Sequence, residues 1–233
     1  MVLKRKKEIQ TNNHGRKLVT NANPKSPISE QFRTLRTNIE YSAIDQPYRS
    51  IMVTSTGPGE GKSTTVANLA VVYAQQGKKV LLVDADLRKP TLHYTLQLLN
   101  NSGLTSVLTK QVRLLDAVQQ TRIENLDGLT SGPIPPNPAE LLGSKGMDDT
   151  LEEIYKLYDM VLFDTPPVMA VTDPQILSNK CHGTILVTSS GHTDIEGAKK
   201  AKELLTSAKA KLLGVVLNNK DSKDTNFYYY YGN

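Results

Sequence analysis

Cysteine, tryptophan and long apolar runs are what this sequence has least of, and each scarcity narrows its class. The single cysteine, Cys181, has no partner for an internal disulfide and fits a reducing cytosol. Tryptophan is missing and phenylalanine occurs three times, so aromatic mass rests on ten tyrosines. The longest apolar stretches are strand-sized: Val80 to Val83, and the cluster Leu212, Leu213, Val215, Val216 and Leu217. A bilayer-crossing helix needs about 20 such residues. The opening MVLKRKKEIQ has the positive charge of a signal peptide, but polar TNNHGRK stands where an apolar segment would have to follow. A disulfide scaffold, a spanning helix and a cleaved leader are set aside, and a cytoplasmic protein is expected.

A net charge of +5 and a pI near 9.1 suggest an anionic partner until the charge is mapped. Residues 1–25 hold seven bases (Lys4, Arg5, Lys6, Lys7, Arg16, Lys17, Lys25) against one acid, Glu8, so this arm carries +6 and the rest of the chain −1. The arm reads as a flexible solvated segment, or as a contact for anionic lipid, an acidic partner or nucleic acid. With the body near neutral, nucleic acid is not expected.

The 233 residues suffice for one large domain. SPISEQFRTLRTNIEYSAI spaces Ile28, Phe32, Leu35 and Ile39 as one helical face, with Ser26 or Ser29 as candidate cap. Apolar strands (SIMVTS, KVLLVDAD, LDGLTS, DMVLFDTPP, GTILVTS, LLGVVLNN) then alternate with helical stretches: from Lys62, through 91–120, and over about 138–157, 174–180 and 195–208. Asn137, Pro138 and Glu140 suit the N-cap, first and third positions of the 138–157 helix. This alternation predicts an α/β fold, a mostly parallel sheet with helices on both faces. The expected division is a basic arm over 1–25, a domain over 26–218 that begins with a helix over 26–46, and a mobile tail over 219–233.

The stretch from Ser55 to Thr64, STGPGEGKST, follows a strand and opens a helix, which is the setting of a phosphate-binding loop. Gly57, Gly59 and Gly61 let backbone N–H groups turn toward phosphate at a helix N-terminus; Glu60 and Thr64 belong to the same cradle. Lys62 would reach the β and γ phosphates and the Ser63 hydroxyl would ligate Mg²⁺. Thr56 stands where the strict pattern has glycine, so the loop is a variant. Asp84 and Asp86 end one strand and Asp164 another, at the carboxyl edge where open α/β sheets bind ligands. Carboxylates there would support Mg²⁺ or accept a proton from an attacking hydroxyl, or cap the next helix. Asn218 would bind adenine or form a turn, and Arg88 would touch phosphate or a partner, or open a helix. His93, His182 and His192 share no ligand spacing with one another or with Cys181, so zinc is not expected.

STGPGEGKST and VLLVDADLRKP, with VLFDTPP downstream and FYYYYGN at the end, together resemble the bacterial tyrosine kinases, in particular the stand-alone kinase subunits of capsule and exopolysaccharide operons in Gram-positive bacteria. The resemblance covers about residues 26–233. It implies a P-loop NTPase-type domain with ATP and Mg²⁺ as cofactors, Lys62 and Asp84 in catalysis with Asp86 beside them, and Ser63, Asp86 and Asp164 around the metal. It also matches Glu30, Arg33 and Arg36 to the family's E-x-x-R-x-x-R motif, which joins subunits into a ring. From spacing alone these three form a polar ridge with a possible intrachain ion pair. Chromosome-partition and division-site ATPases share such a fold. Their loops carry a further lysine where Gly57 stands here, and they lack a terminal tyrosine block.

Tyr228, Tyr229, Tyr230 and Tyr231 read alone as a sticky strand or a packed tail. In an extended chain adjacent side chains alternate, so one surface would cover half of them. As phosphoacceptors all four have a use, and fifteen residues at ~3.3 Å each extend about 50 Å, enough to reach a neighbouring subunit. The expectation is an ATP-dependent tyrosine kinase that modifies its own tail in trans within a homo-oligomeric ring, acts on other tyrosine-bearing proteins, and works with a membrane-embedded activator that recruits it to the membrane. An assembly-switch ATPase that never phosphorylates protein is the alternative.

Overall fold

A computed structural model describes residues 18–43 and 46–220. Tyr228–Tyr231 and the greater part of the basic arm lie outside the described residues. The strands are β1 (Ser50–Ser55), β2 (Val80–Asp84), β3 (Gln119–Gln120), β4 (Leu126–Leu129), β5 (Met160–Asp164), β6 (Gly183–Ser189) and β7 (Leu212–Asn218). They form one sheet in the order β3-β4-β2-β5-β1-β6-β7, parallel throughout except for β3 against β4. The expected mostly parallel sheet is therefore present. β3 has no apolar signal in its two glutamines, and the expectation omits it.

β1, β2, β5 and β6 are buried on both faces, which is why they read as continuous apolar runs rather than alternating ones. Their side chains divide by parity between two cores. Ile51, Val53, Leu82 and Leu162 face α1 (Val19–Ala22), α2 (Pro27–Tyr41) and α3 (Lys62–Ala74). Met52, Leu81, Val83 and Phe163 face the other side, with α8 (Lys145–Leu157), α9 (Asp173–Ser178) and α10 (Ile195–Ser207). The single helix expected over about 138–157 is two, α7 (Pro138–Gly143) and α8. Ser144 separates them, and its hydroxyl caps α8 by accepting from Met147 N–H. Asn137 makes no capping bond; its amide donates to Glu140 instead.

α3 lies wedged between the sheet and α1 and α2, and nearly all its side chains are buried. Among its buried polar side chains is Asn68. Asn68 accepts from the Thr20 N–H (3.0 Å) and hydroxyl (2.8 Å) and donates to the Thr64 carbonyl (2.8 Å). Part of the segment expected as a flexible arm is packed: Leu18 and Thr20, within residues 1–25, are buried against α3. α2 is shorter than the expected 26–46. Ser26 is its cap, accepting from Ser29 N–H at 3.1 Å. Ile28, expected on the apolar face, is exposed, while Ile39 is buried.

Asn68→Ala would strand the Thr20 donors in an apolar setting, a loss of about 1–3 kcal/mol. At about 2–4 °C per kcal/mol for a domain of this size, Tm should fall by roughly 3–10 °C, with faster proteolysis near residue 18. Removing the exposed Asn179 amide, which bonds only the Gln175 carbonyl, should leave Tm nearly unchanged. Equal effects of the two substitutions would contradict the anchoring role of Asn68.

Candidate active site

The site grows from the upper end of β1. The loop after Ser55 runs into α3 through Gly61, which caps the helix at φ +94°; Gly59 is also left-handed at +80°. Both conformations strain an L side chain. At Gly61 the space is closed too, since a Cβ would come within 2.1 Å of the Asn218 amide nitrogen. Thr56 is not among the positive-φ residues, so a side chain is tolerated where the strict loop pattern has glycine.

Two side chains brace this loop. Buried Glu60 accepts from the Thr56 N–H through Oε2 (2.8 Å) and from the Thr193 hydroxyl through Oε1 (2.6 Å). The Asn218 amide, at the end of β7, donates to the Glu60 carbonyl (2.9 Å). These bonds help to hold the loop's shape. Thr193 was missed because it lies 133 residues from Glu60 and no spacing connects them.

Strand order brings the acids together. β5 lies between β2 and β1, and Asp84 and Asp164 are direct register partners at the ends of β2 and β5. Lys62, the first residue of α3, reaches across: its Nζ is 3.4 Å from Asp86 Oδ2, 3.4 Å from Asp164 Oδ1 and 3.2 Å from Ser63 Oγ. Burial pulls the Lys62 pKa down, but Asp164 and Asp86 outweigh it and the net shift is upward, so the ammonium stays charged. Burial likewise raises Asp164, opposed by Lys62 and the Ser63 hydroxyl. Asp84 is pushed up to about 7, by burial first and then by the Asp164 charge, against the Leu92 N–H and Lys62. A carboxyl titrating there is suited to exchange protons at neutral pH.

The two aspartates of VLLVDADLRKP differ in their bonds. Asp84 Oδ2 accepts from the N–H groups of Thr91 (3.1 Å) and Leu92 (2.9 Å), while Oδ1 takes one long bond from Asp86 N–H (3.3 Å). It anchors the loop that opens α4 (Leu92–Leu96). Asp86 accepts from Lys89 N–H through Oδ1 and presents Oδ2 to Lys62. Asp164 is fully buried, and its Oδ2 has no hydrogen-bond partner. An orphaned carboxylate oxygen beside a serine hydroxyl fits a hard cation such as Mg²⁺. Among the described residues no three His, Cys, Asp or Glu side chains are grouped to hold a metal unaided, so phosphate and water oxygens would have to complete its shell.

Arg88 is held in a two-pronged bond to buried Asp173 at the start of α9 (2.8 and 2.9 Å), which leaves part of its fork for other contacts. In α2, Arg33 pairs with Glu30 and donates to the Pro24 carbonyl (2.8 Å). Arg36 turns inward and donates to the Val72 carbonyl of α3 (2.9 Å). Glu30 and Arg33 thus lie at the surface, whereas Arg36 clamps α2 onto α3.

Fold and loop define a P-loop NTPase-type protein, and the family model for the AAA domain matches residues 48–212. The relatives are more specific. The chain is 57% identical to tyrosine-protein kinase YwqD of Bacillus subtilis strain 168, covering 93% of this chain and 92% of that one. It is 44% identical to the putative tyrosine-protein kinase CapB of Staphylococcus aureus over 90% and 92%. Among solved structures, the chimerical protein CapA2B2 superposes with a TM-score of 0.84 at 48% identity over 87% of this chain and 89% of that one. The chain belongs to the bacterial tyrosine-protein kinases. Likeness to the septum site-determining protein MinD of Pyrococcus horikoshii is more distant, with a TM-score of 0.62 at 28% identity over 72% and 69%.

The pKa directions fix the sign of a pH effect. A carboxyl raised in the folded state contributes stability that is present below its unfolded pKa and lost as pH rises through its folded one, here about 7 for Asp84. Asp164→Asn removes one buried charge and relieves Asp84. In nucleotide-free protein it should raise stability by roughly 1–2 kcal/mol at pH 8, a few degrees in Tm, with the gain shrinking toward pH 5. A variant less stable than the parent at pH 8 would show that the carboxylates are not held against their own charge.

Proposed function

We propose that this protein tyrosine kinase binds ATP at the 55–64 loop and transfers the γ-phosphoryl group to Tyr228–Tyr231 of a neighbouring copy. The observation that carries the reading is the placement of Lys62 between Asp86 and Asp164, with Asp84 beside them, at the N-terminus of α3. The α3 N-terminus favours phosphate through its free N–H groups and dipole, and Lys62 neutralises charge developing on the transferred group. A tyrosine hydroxyl, with pKa near 10, attacks poorly at neutral pH unless a base takes its proton. Asp84 Oδ1, the less engaged oxygen, is that acceptor. The new bond joins tyrosine oxygen to the γ phosphorus, the bond to the β–γ bridging oxygen breaks, the proton goes to Asp84, and ADP leaves. Ser63 and Asp164, with Asp86 nearby, would hold Mg²⁺, which supplies further neutralisation of the phosphate oxygens. Gly57, Gly59 and Gly61 keep the loop backbone open to phosphate, and Thr64 continues it into the helix.

Delivery in trans calls for a ring. Glu30 and Arg33 on α2 are the contacts we assign to the neighbouring subunit; Arg36 sets the seat of the helix. Each phosphate adds about −1.5 to −2 charges, so a fully modified tail gains roughly −6 to −8 and leaves a neighbour's acidic site, loosening the ring. Among the described residues no helix is long and apolar enough to cross a membrane. A membrane-embedded activator, recruitment to the membrane, other protein substrates and control of polysaccharide synthesis or export follow from the family resemblance.

Purified protein incubated with Mg²⁺ and ATP should carry phosphate on Tyr228–Tyr231 by mass spectrometry. Lys62→Ala and Asp84→Ala should each lower the rate by about 100-fold or more. By light scattering, the oligomer should shrink on full phosphorylation and stay large in a chain with all four tyrosines changed to phenylalanine. Free phosphate without tyrosine modification would support the switch ATPase instead, and an unchanged oligomer after full phosphorylation would remove the ring-opening step.

A further inference from the structure

We propose that the phosphorylated tail is captured by its own chain, on the face that α10 and β7 form beside the point where the tail begins. This inference rests on the kinase reading above and adds a destination for the product. α10 presents Ile195, Lys199, Lys202 and Thr206 along one exposed stripe at spacings of 4, 3 and 4. Lys200 lies next to it, and Lys209 and Lys211 follow in the turn toward β7. Five exposed ammonium groups thus stand within one helix and its turn. Two acids, Glu196 and Glu203, share the surface; Glu196 pairs with Lys199 (2.8 Å), and Lys211 lies over the Tyr48 ring. Lys200, Lys202 and Lys209 form no ion pair among the described residues. Lys199, Lys202, Glu203, Thr206 and Ser207 line a depression of about 380 Å³.

The adjoining strand supplies an apolar half. Val216 packs with the α2–α3 core, so its neighbours Val215 and Leu217 point to the opposite face, the one that carries α10. They are 56% and 54% exposed. β7 is the last strand of the sheet and pairs with β6 alone among the described residues. Lysines next to exposed aliphatic side chains match a segment that alternates aromatic rings with phosphates. Here the segment is attached: Asn218 ends β7, and the Asn219 amide is tied to the Ser189 hydroxyl (3.0 Å). The thirteen residues from 221 to 233 span up to about 43 Å. α10, at 1.5 Å per residue, is about 20 Å long, so every lysine named is within reach.

Before modification the segment 219–233 is neutral, with Lys220 and Lys223 balancing Asp221 and Asp224. After modification it carries several negative charges, and tethering gives it an effective concentration on the order of millimolar at this face. Exposed lysines bind a phosphate weakly one at a time. Four phosphates on a short tether engage several at once. The capture would keep the spent tail out of the neighbour's site until a phosphatase removes the charge.

The test is lysine footprinting by limited acetylation, read by mass spectrometry, on full-length protein in phosphorylated and phosphatase-treated forms, with Lys156 of α8 as reference. Labelling of Lys199, Lys200, Lys202, Lys209 and Lys211 should slow by about threefold or more in the phosphorylated form at low salt, and recover by about 0.5 M salt, where the Debye length falls below ~5 Å. The triple variant Lys199→Glu, Lys202→Glu, Lys209→Glu should phosphorylate its tail at the parent rate while Lys200 and Lys211 lose their protection. Phosphate counted in the same samples separates the two readings: no tail phosphate removes the kinase reading, whereas a phosphorylated tail with unprotected lysines overturns the capture. Protection that is equal in both forms would assign the face to a second copy and overturn it too. Ring opening alone would expose lysines, the opposite sign.

Discussion

Three carboxylates at the mouth of a parallel sheet cannot all be dry and ionised without a cation among them, and Lys62 is that cation. Its ammonium meets Asp86 and Asp164 at equal distances, while Asp84, in register with Asp164, responds by titrating near neutrality. The cluster is costly as a piece of folding and apt as a piece of chemistry. It stores negative charge that a lysine, a metal and a phosphate chain can organise, and it holds one carboxyl poised to exchange a proton. The fold tolerates the cost in part because backbone N–H groups of the loop after β2 bond Asp84 and Asp86, while Asp164 relies on Lys62.

α3 connects this chemistry to the rest of the molecule. Its first residue is Lys62; its middle holds α1 through Asn68; near its end the Val72 carbonyl accepts from Arg36 of α2. The helix assigned to subunit contacts is therefore fastened to the same rod that carries the phosphate loop. Arg36 bonds within its own chain, whereas Glu30 and Arg33 pair with each other at the surface.

Much of this was legible in the residues. The glycine loop, the strand-end aspartates and the parallel sheet follow from local pattern, because each depends on residues close in sequence. What the sequence does not show depends on residues whose partners are remote. Nothing near Glu60 announces Thr193, and nothing near Asn218 announces the Glu60 carbonyl, so the part these side chains take in bracing the loop is visible only in the fold. The 138–157 pattern has helical periodicity across Ser144, yet a serine able to cap a new helix divides it. The basic arm is set at residue 25 by its charge, and only the fold supplies Asn68 to hold Thr20. Tyrosines beyond residue 220 have no packing partner in the sequence pattern, and their meaning rests on the chemistry assigned to the loop.

The central claim is that one chain's Lys62 site acts on another chain's tyrosines. It is tested most directly by mixing a Lys62→Ala chain that keeps its tyrosines with an active chain whose Tyr228–Tyr231 are all phenylalanine, adding Mg²⁺ and ATP, and locating phosphate by mass. Phosphotyrosine on the Lys62→Ala chain is the predicted result. Absence of phosphate from that chain, in a mixture that still hydrolyses ATP, would contradict the account.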